Sequence, residues 1–334
     1  VQISPRYFVI ELLTGLVFFG TFLLFFNSGL RHGIPPFLSG GWILYLISIA
    51  MLSSLIACSA IDLEMWIIPL SICWFATAAG LIGGAVAPLL IHPATIRHYF
   101  LMPTTADLAL INHTTVASLS VGVAIGLGIS LLLLATGIVK RSYDFSRIEN
   151  WPPNPEKPKD SAHQSDTGQN NLPAEEEFND RVEMLREMLF LLPIIVCALV
   201  ANWLFNRYPP LHQWWFGFTQ RPVVEGFMGS LAGYFVGCAI VWATRVFGTL
   251  AFGKEAMGLG DVHLMGAAGT VIGPMFIVIA FFVAPFFGLI WAAVQLFSKK
   301  TRQIPYGPFL SMGIVVVMIF HDGIINYLKV VFGR

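Results

Sequence analysis

The chain has 334 residues, of which 56% are hydrophobic and 11% charged, and its 19 Lys and Arg balance 19 Asp and Glu. Soluble domains carry about 25% charged residues, so this composition, with a mean hydropathy of +0.73, excludes an ordinary soluble domain and indicates a polytopic membrane protein. Zero net charge gives no case for nucleic acid, and the four cysteines (Cys58, Cys73, Cys197, Cys238) form neither a zinc motif nor a disulfide framework; each falls in an apolar run and reads as a buried thiol.

The first apolar run, Phe8 to Phe26, is long for a signal-peptide core and lacks a small-x-small cleavage pattern. With more spans following, it is read as a retained helix. Runs at about 8–28, 42–61, 68–91, 115–139, 187–207, 223–250, 275–297 and 308–331 are each long enough to span a bilayer. The run 262–274 is shorter and ends at Gly273-Pro274. At 1.5 Å per residue it covers about 20 Å of a roughly 30 Å core, so it crosses a thinned region or forms a half-helix. Between 141 and 186 the chain turns polar, with Trp151-Pro-Pro-Asn-Pro-Glu-Lys-Pro-Lys159, then a Ser/Gln/Asn/Glu stretch and a charge-rich run to Glu187. Such a segment cannot bury enough apolar surface to order itself. The expected fold class is all-α: a polytopic transmembrane helical bundle of about 8–9 membrane segments with a disordered polar cytoplasmic loop at about 141–186.

Two carboxylates end apolar runs. Asp261 lies in Gly253-Lys-Glu-Ala-Met-Gly-Leu-Gly-Asp261, and Asp62 in Ile61-Asp-Leu-Glu-Met-Trp-Ile-Ile-Pro69. An Asp at the centre of a membrane helix costs about 2.5–3.5 kcal/mol, less near the interface, so each needs a reason. Gly258 and Gly260, lacking side chains, let another backbone lie close to the carboxylate. The spans between the two aspartates are even in number, so both return to one face. On that face Lys and Arg outnumber those opposite, as the positive-inside rule requires of the cytoplasmic side. The whole of the excess lies in the polar segment, since the remaining Lys and Arg tie, and the count requires 262–274 to cross.

Two carboxyls a few Å apart cannot easily both ionise. The ionised one can take a proton from water as it attacks a peptide carbonyl, while the protonated one donates to the carbonyl oxygen or the leaving amine. That chemistry needs no cofactor, no metal and no covalent intermediate. The sequence has no Gly-x-Ser-x-Gly elbow and no His-Glu-x-x-His. The residues by themselves leave two readings open: an intramembrane aspartic protease, or a proton- or cation-coupled transporter using intramembrane carboxylates.

At this point the sequence resembles the prepilin peptidases (type IV leader peptidases), intramembrane aspartic proteases of the Gly-x-Gly-Asp class. The resemblance is carried by Arg6-Tyr7 with Glu11-Leu-Leu-Thr-Gly15, Ile61-Asp62 with Ile68-Pro69, Glu225 to Tyr234 with Trp242, Gly253 to Met265, and Ile304-Pro-Tyr-Gly-Pro-Phe-Leu310. It divides the chain into 1–91, carrying the first aspartate, a 92–222 insertion with two membrane helices and the polar loop, and 223–334, carrying the Gly-Leu-Gly-Asp motif. It implies cleavage of the leader of type IV prepilins or of pseudopilins of type II secretion, just after a glycine. The location implied is the cytoplasmic face of the bacterial inner (plasma) membrane, with membrane lipid as surroundings. Asp62 and Asp261 are then the catalytic pair. Gly258, Gly260, Pro69, Lys254, Glu255, Pro305 and Gly307 are expected to shape the site or orient substrate, and Glu11 and Glu225 either grip the basic leader or pack between helices. Leu70 stands where many members carry an acid, and His263 where they often carry Lys. The cysteine-rich loop that bifunctional members place upstream of the Arg-Tyr stretch, linked to N-methylation, lies outside this sequence. Nothing in the residues indicates an oligomeric state.

Overall fold

The computed structural model describes residues 5–27, 34–91, 113–139, 180–298 and 305–331. Among the described residues are eleven α-helices, one short 3-10 turn at Phe37–Ser39, and no strand. Seven helices are long and apolar enough to cross a membrane: α1 (Pro5–Phe26), α2 (Gly41–Met65), α3 (Leu70–Leu90), α4 (His113–Ala135), α5 (Asp180–Arg207), α7 (Pro222–Phe252) and α9 (Pro274–Ser298). Four are shorter: α6 (Pro209–Thr219), α8 (Leu259–Ile272), α10 (Gly307–Ile319) and α11 (His321–Val331). All-helical architecture follows from the solvent, since a chain in lipid must satisfy its own backbone hydrogen bonds.

The centre of the bundle is α8, enclosed by α7, α3, α9, α2 and α10. Ten of its residues, from Asp261 through Val271 apart from His263, are buried. Its approach to α7 is made by glycines. A side chain on Gly233 would overlap the Gly269 carbonyl, one on Gly269 would overlap the Gly233 carbonyl, and one on Gly237 would overlap Met265. Small residues let membrane helices pack backbone to backbone, where dispersion and not the hydrophobic effect drives association. These pairings run antiparallel, so the Asp261 end of α8 lies towards the C-terminal half of α7.

Further contacts fix the direction of the remaining helices. The Phe276 ring stacks on His321 at 4.4 Å between centroids, while Gly288 faces Phe309, so α9 and α10 are antiparallel. Helix α8 therefore starts at the same end as Gly307, reaches the opposite end at Gly273, and α9 returns. The run 262–274 traverses the bundle rather than folding back, and at about 21 Å it is matched by the equally short α10. On the other side of α7, α4 and α5 form an antiparallel pair. Ser118 there donates to Asn202 Oδ1 at 3.0 Å and Ser130 to the Phe190 carbonyl at 2.7 Å.

Two expectations need correction. The run 308–331 does not form one straight span: it breaks at Phe320, and α11 turns away by 74°. The cause is the polar His321-Asp322-Gly323 triplet, after which apolar residues gather on one face of α11, with Asp322, Asn326 and Lys329 elsewhere. The disorder expected over 141–186 does not hold at its C-terminal end, because α5 begins at Asp180. Glu183 and Met184 are buried there, so this polar start of α5 packs on the protein. The rest of that segment, 140–179, lies outside the described residues.

Candidate active site

Asp62 occupies the last turn of α2. The helix stops at Trp66, whose amide still donates to the Asp62 carbonyl at 3.0 Å while its φ of 59° takes the left-handed region. For a residue with a bulky side chain that conformation is rare, and it forces a sharp exit from the helix. The chain then runs through Ile67 and Ile68 to Pro69, which caps α3 at its N-terminus. Asp261 occupies the first turn of α8, three residues past the N-cap Gly258. Both carboxyl residues are buried, at 6% and 8% exposure.

Ile68 joins the two halves of the site. A Cβ on Gly260 would stand 2.7 Å from Ile68 Cβ, and one on Gly307 would stand 3.3 Å from Ile68 Cδ1. The Gly307 amide donates to Asp62 Oδ2 at 3.2 Å, and Gly258 lies beside the Asp261 carboxyl. The two aspartates lie near enough for the Asp62 charge to act on Asp261. The buried thiols of Cys58 and Cys73 lie nearby, Cys58 within reach of the Asp62 charge and Cys73 within reach of the Asp261 charge. The separation of almost two hundred positions in sequence is thus closed by α8 packing on α3 and α2, and by α10 bringing Gly307 to α2. A further α2–α10 tie is the Ser59 to Ser311 hydrogen bond at 2.9 Å.

Among the expected site-shaping residues, Gly260 and Gly307 touch the core of the site, and Pro69 and buried Pro305 flank it. Gly258 is adjacent but less constrained: a Cβ there would meet Asp261 Oδ2 at an ordinary 3.5 Å. Lys254 and Glu255 are exposed on the loop that leads to Asp261. Glu225 does not belong to the site. It sits in the first turn of α7, and because α7 runs antiparallel to α8 it lies more than about 20 Å along the axis from the level of Asp261. Glu11 is exposed on α1, whose packed residues lie further along, towards Phe26; it stays outside the site.

Four residues near the pair carry no role in the sequence reading. Tyr306 lies within reach of the Asp261 charge, and burial together with that charge pushes its phenol up to about 12, so it remains a hydrogen-bond donor at neutral pH. Arg245, 1% exposed, binds Glu187, Glu255 and the Met257 carbonyl. Trp242 Nε1 donates to Glu187 Oε2 at 2.9 Å. His263, half-buried, points away from the pair towards Tyr234 and Trp74. Arg245 carries the one signal that could have been read earlier, since a cation inside the apolar run 223–250 is as anomalous as an aspartate there.

These features define a class: an all-helical, multi-pass membrane protein with two buried carboxyls, one within reach of the other's charge, where helices begin and end. Residues 185–293, which include Asp261, Arg245 and Glu187 but not Asp62, match the model of the type IV leader peptidase family. Over those residues the chain is similar to that family. It is similar to the type 4 prepilin-like proteins leader peptide-processing enzyme of Escherichia coli, 29% identical over 156 residues that make up 40% of this chain and 57% of that one. It is also similar to the prepilin leader peptidase/N-methyltransferases of Aeromonas salmonicida, 29% identical over 45% of this chain and 47% of the relative, and of Bacillus subtilis, 25% identical over 44% and 51%. The chain thus spans about half the length of the curated relatives it matches. No solved structure matches it.

Proposed function

We propose that this protein is an intramembrane aspartic endopeptidase that removes the leader peptide of type IV prepilins or of pseudopilins, with Asp62 and Asp261 as its catalytic pair. The observation that carries the reading is the pair itself: two buried carboxyls, Asp62 receiving the Gly307 amide and Asp261 within reach of the Asp62 charge. One carboxylate takes a proton from a water molecule as the oxygen attacks the scissile carbonyl. The partner carboxyl gives its proton to the carbonyl oxygen, and the resulting tetrahedral intermediate collapses when the amine leaves with a proton. A coupled pair of this kind holds its proton jointly, so neither aspartate is assigned as base.

A peptide bond can reach the carboxyls only in an extended segment, because a helix keeps its carbonyls engaged in its own hydrogen bonds. The Pro69 and Pro305–Gly307 stretches border such a segment. The positive-inside count supports a site on the cytoplasmic side of a bacterial inner membrane. That count depends on 262–274 crossing, and α8 does traverse the bundle. The comparisons do not favour a carrier.

The test is processing of a co-expressed prepilin, read by gel shift and by the mass of the mature N-terminus. Asp62→Ala and Asp261→Ala are expected to abolish processing while inserting at wild-type levels. Processing at the wild-type rate by either variant would falsify the proposed pair.

A further inference from the structure

The loop that delivers Asp261 is held by a charged clamp reaching in from a helix that carries neither aspartate. Residues 253–258 connect α7 to α8, with Gly253 ending α7 in the left-handed region at φ 68°. Three attachments fix this loop. Arg245 donates through Nη1 to the Met257 carbonyl and the Glu255 carboxylate, and the Ala256 amide donates to Thr249 Oγ1 at 3.1 Å. Arg245 is held in turn from its other edge by Glu187 on α5: Nε donates to Oε2 at 3.2 Å and Nη2 to Oε1 at 3.1 Å. A two-point fork of this kind fixes the guanidinium plane as well as its position. Trp242 adds a third donor to the same carboxylate, and Arg181 on α5 lies alongside Gly253.

A guanidinium at 1% exposure inside a membrane protein is an expensive group to retain. Simple helix packing does not require it, because α7 and α8 already lock through glycines. Its fork faces two ways, with α5 on one side and the carbonyl just before the α8 N-cap on the other. The Arg245 charge also reaches Asp261. We propose that Glu187 is a positioning residue for peptide cleavage: it sets the Arg245 fork, the fork sets the 253–258 loop, and the loop sets the Asp261 carboxyl against Asp62. The inference rests on the peptidase reading above. It gives the α4–α5 pair a specific task, which is to complete the site from outside the helices that bear the aspartates.

The test uses the purified full chain in detergent with a purified full-length prepilin. Wild type and Asp261→Ala are measured first; absence of cleavage by wild type overturns the peptidase reading and this inference with it. Where wild type cleaves, Glu187→Gln keeps the shape and the Trp242 contact but removes the charge. Misplacing a reacting group by about 1 Å can lower the rate about 100-fold, so kcat is expected to fall about 10- to 100-fold with KM within about threefold. Glu187→Asp should recover part of the loss. A folded Glu187→Gln protein with kcat within about twofold of wild type overturns the inference alone. Should Glu187→Gln fail to fold, Glu187→Asp and Glu255→Gln decide: reduced kcat in folded protein supports positioning, and wild-type kcat in both leaves Glu187 a purely structural role and overturns it.

Discussion

At Gly307 the site tolerates no side chain. A Cβ there would lie 2.6 Å from Asp62 Oδ2, and one on Gly260 would lie 2.7 Å from Ile68 Cβ, while one on Gly258 would make an ordinary contact at 3.5 Å. Gly307→Ala must displace the carboxyl and Gly260→Ala must displace the chain between the aspartates, so each is expected to lower the processing rate about tenfold or more. Gly258→Ala, with its φ of −74° open to any residue, should stay within about threefold of wild type. Time courses at matched membrane levels check the order, and a Gly258→Ala defect as large as Gly307→Ala would contradict it. Asp62, Asp261 and the need for glycine near them are legible in the sequence, because acids at the ends of apolar runs are costly and glycine implies close approach. Which of the two Gly-x-Gly glycines is constrained is not legible, since that depends on Ile68 arriving from another helix. Arg245 is legible as an anomaly, but its partner is not: Glu187 stands at the start of an apolar run, where an acid is unremarked.

Helices α7 and α8 depend on their glycine seam. Gly269→Leu would force a side chain into the Gly233 backbone, and overpacking typically costs about 1–3 kcal/mol, more where backbone must move. The variant is expected to melt several degrees lower in detergent and to lose processing in proportion, whereas an unchanged melting temperature would mean that the seam is looser than described. Spans of twenty or more apolar residues are read easily from hydropathy. Harder are the places where polarity is local. The α10–α11 break and the polar start of α5 at Asp180 are both decided by a few residues packing on neighbouring helices, which a window average cannot register.

For the whole molecule, the packing directions put the site, the loop at 253–258 and both ends of the α9–α10 connection on one side, with α6 on the other. Single cysteines introduced as Lys254→Cys and Gly217→Cys, with Cys58, Cys73, Cys197 and Cys238 replaced, should react with an impermeant thiol reagent from opposite faces of sealed vesicles. The first is expected to label from the cytoplasmic face; labelling of both from one face would contradict the topology. An even number of intervening spans predicts that the aspartates share a face, but not that α8 and α10 are both short enough to bring the ends of four helices together.

The claim on which the rest depends is that Asp62 and Asp261 face one another. It can be measured in the chain lacking its four native cysteines, two of which lie within reach of the pair's charges, by introducing Asp62→Cys with Asp261→Cys and treating native membranes with a short bifunctional thiol reagent. Protease cleavage within the 140–179 segment then separates the halves unless they are joined. The account predicts efficient joining of the two fragments, absent from either single variant. Quantitative labelling of both thiols with no joined product would contradict it.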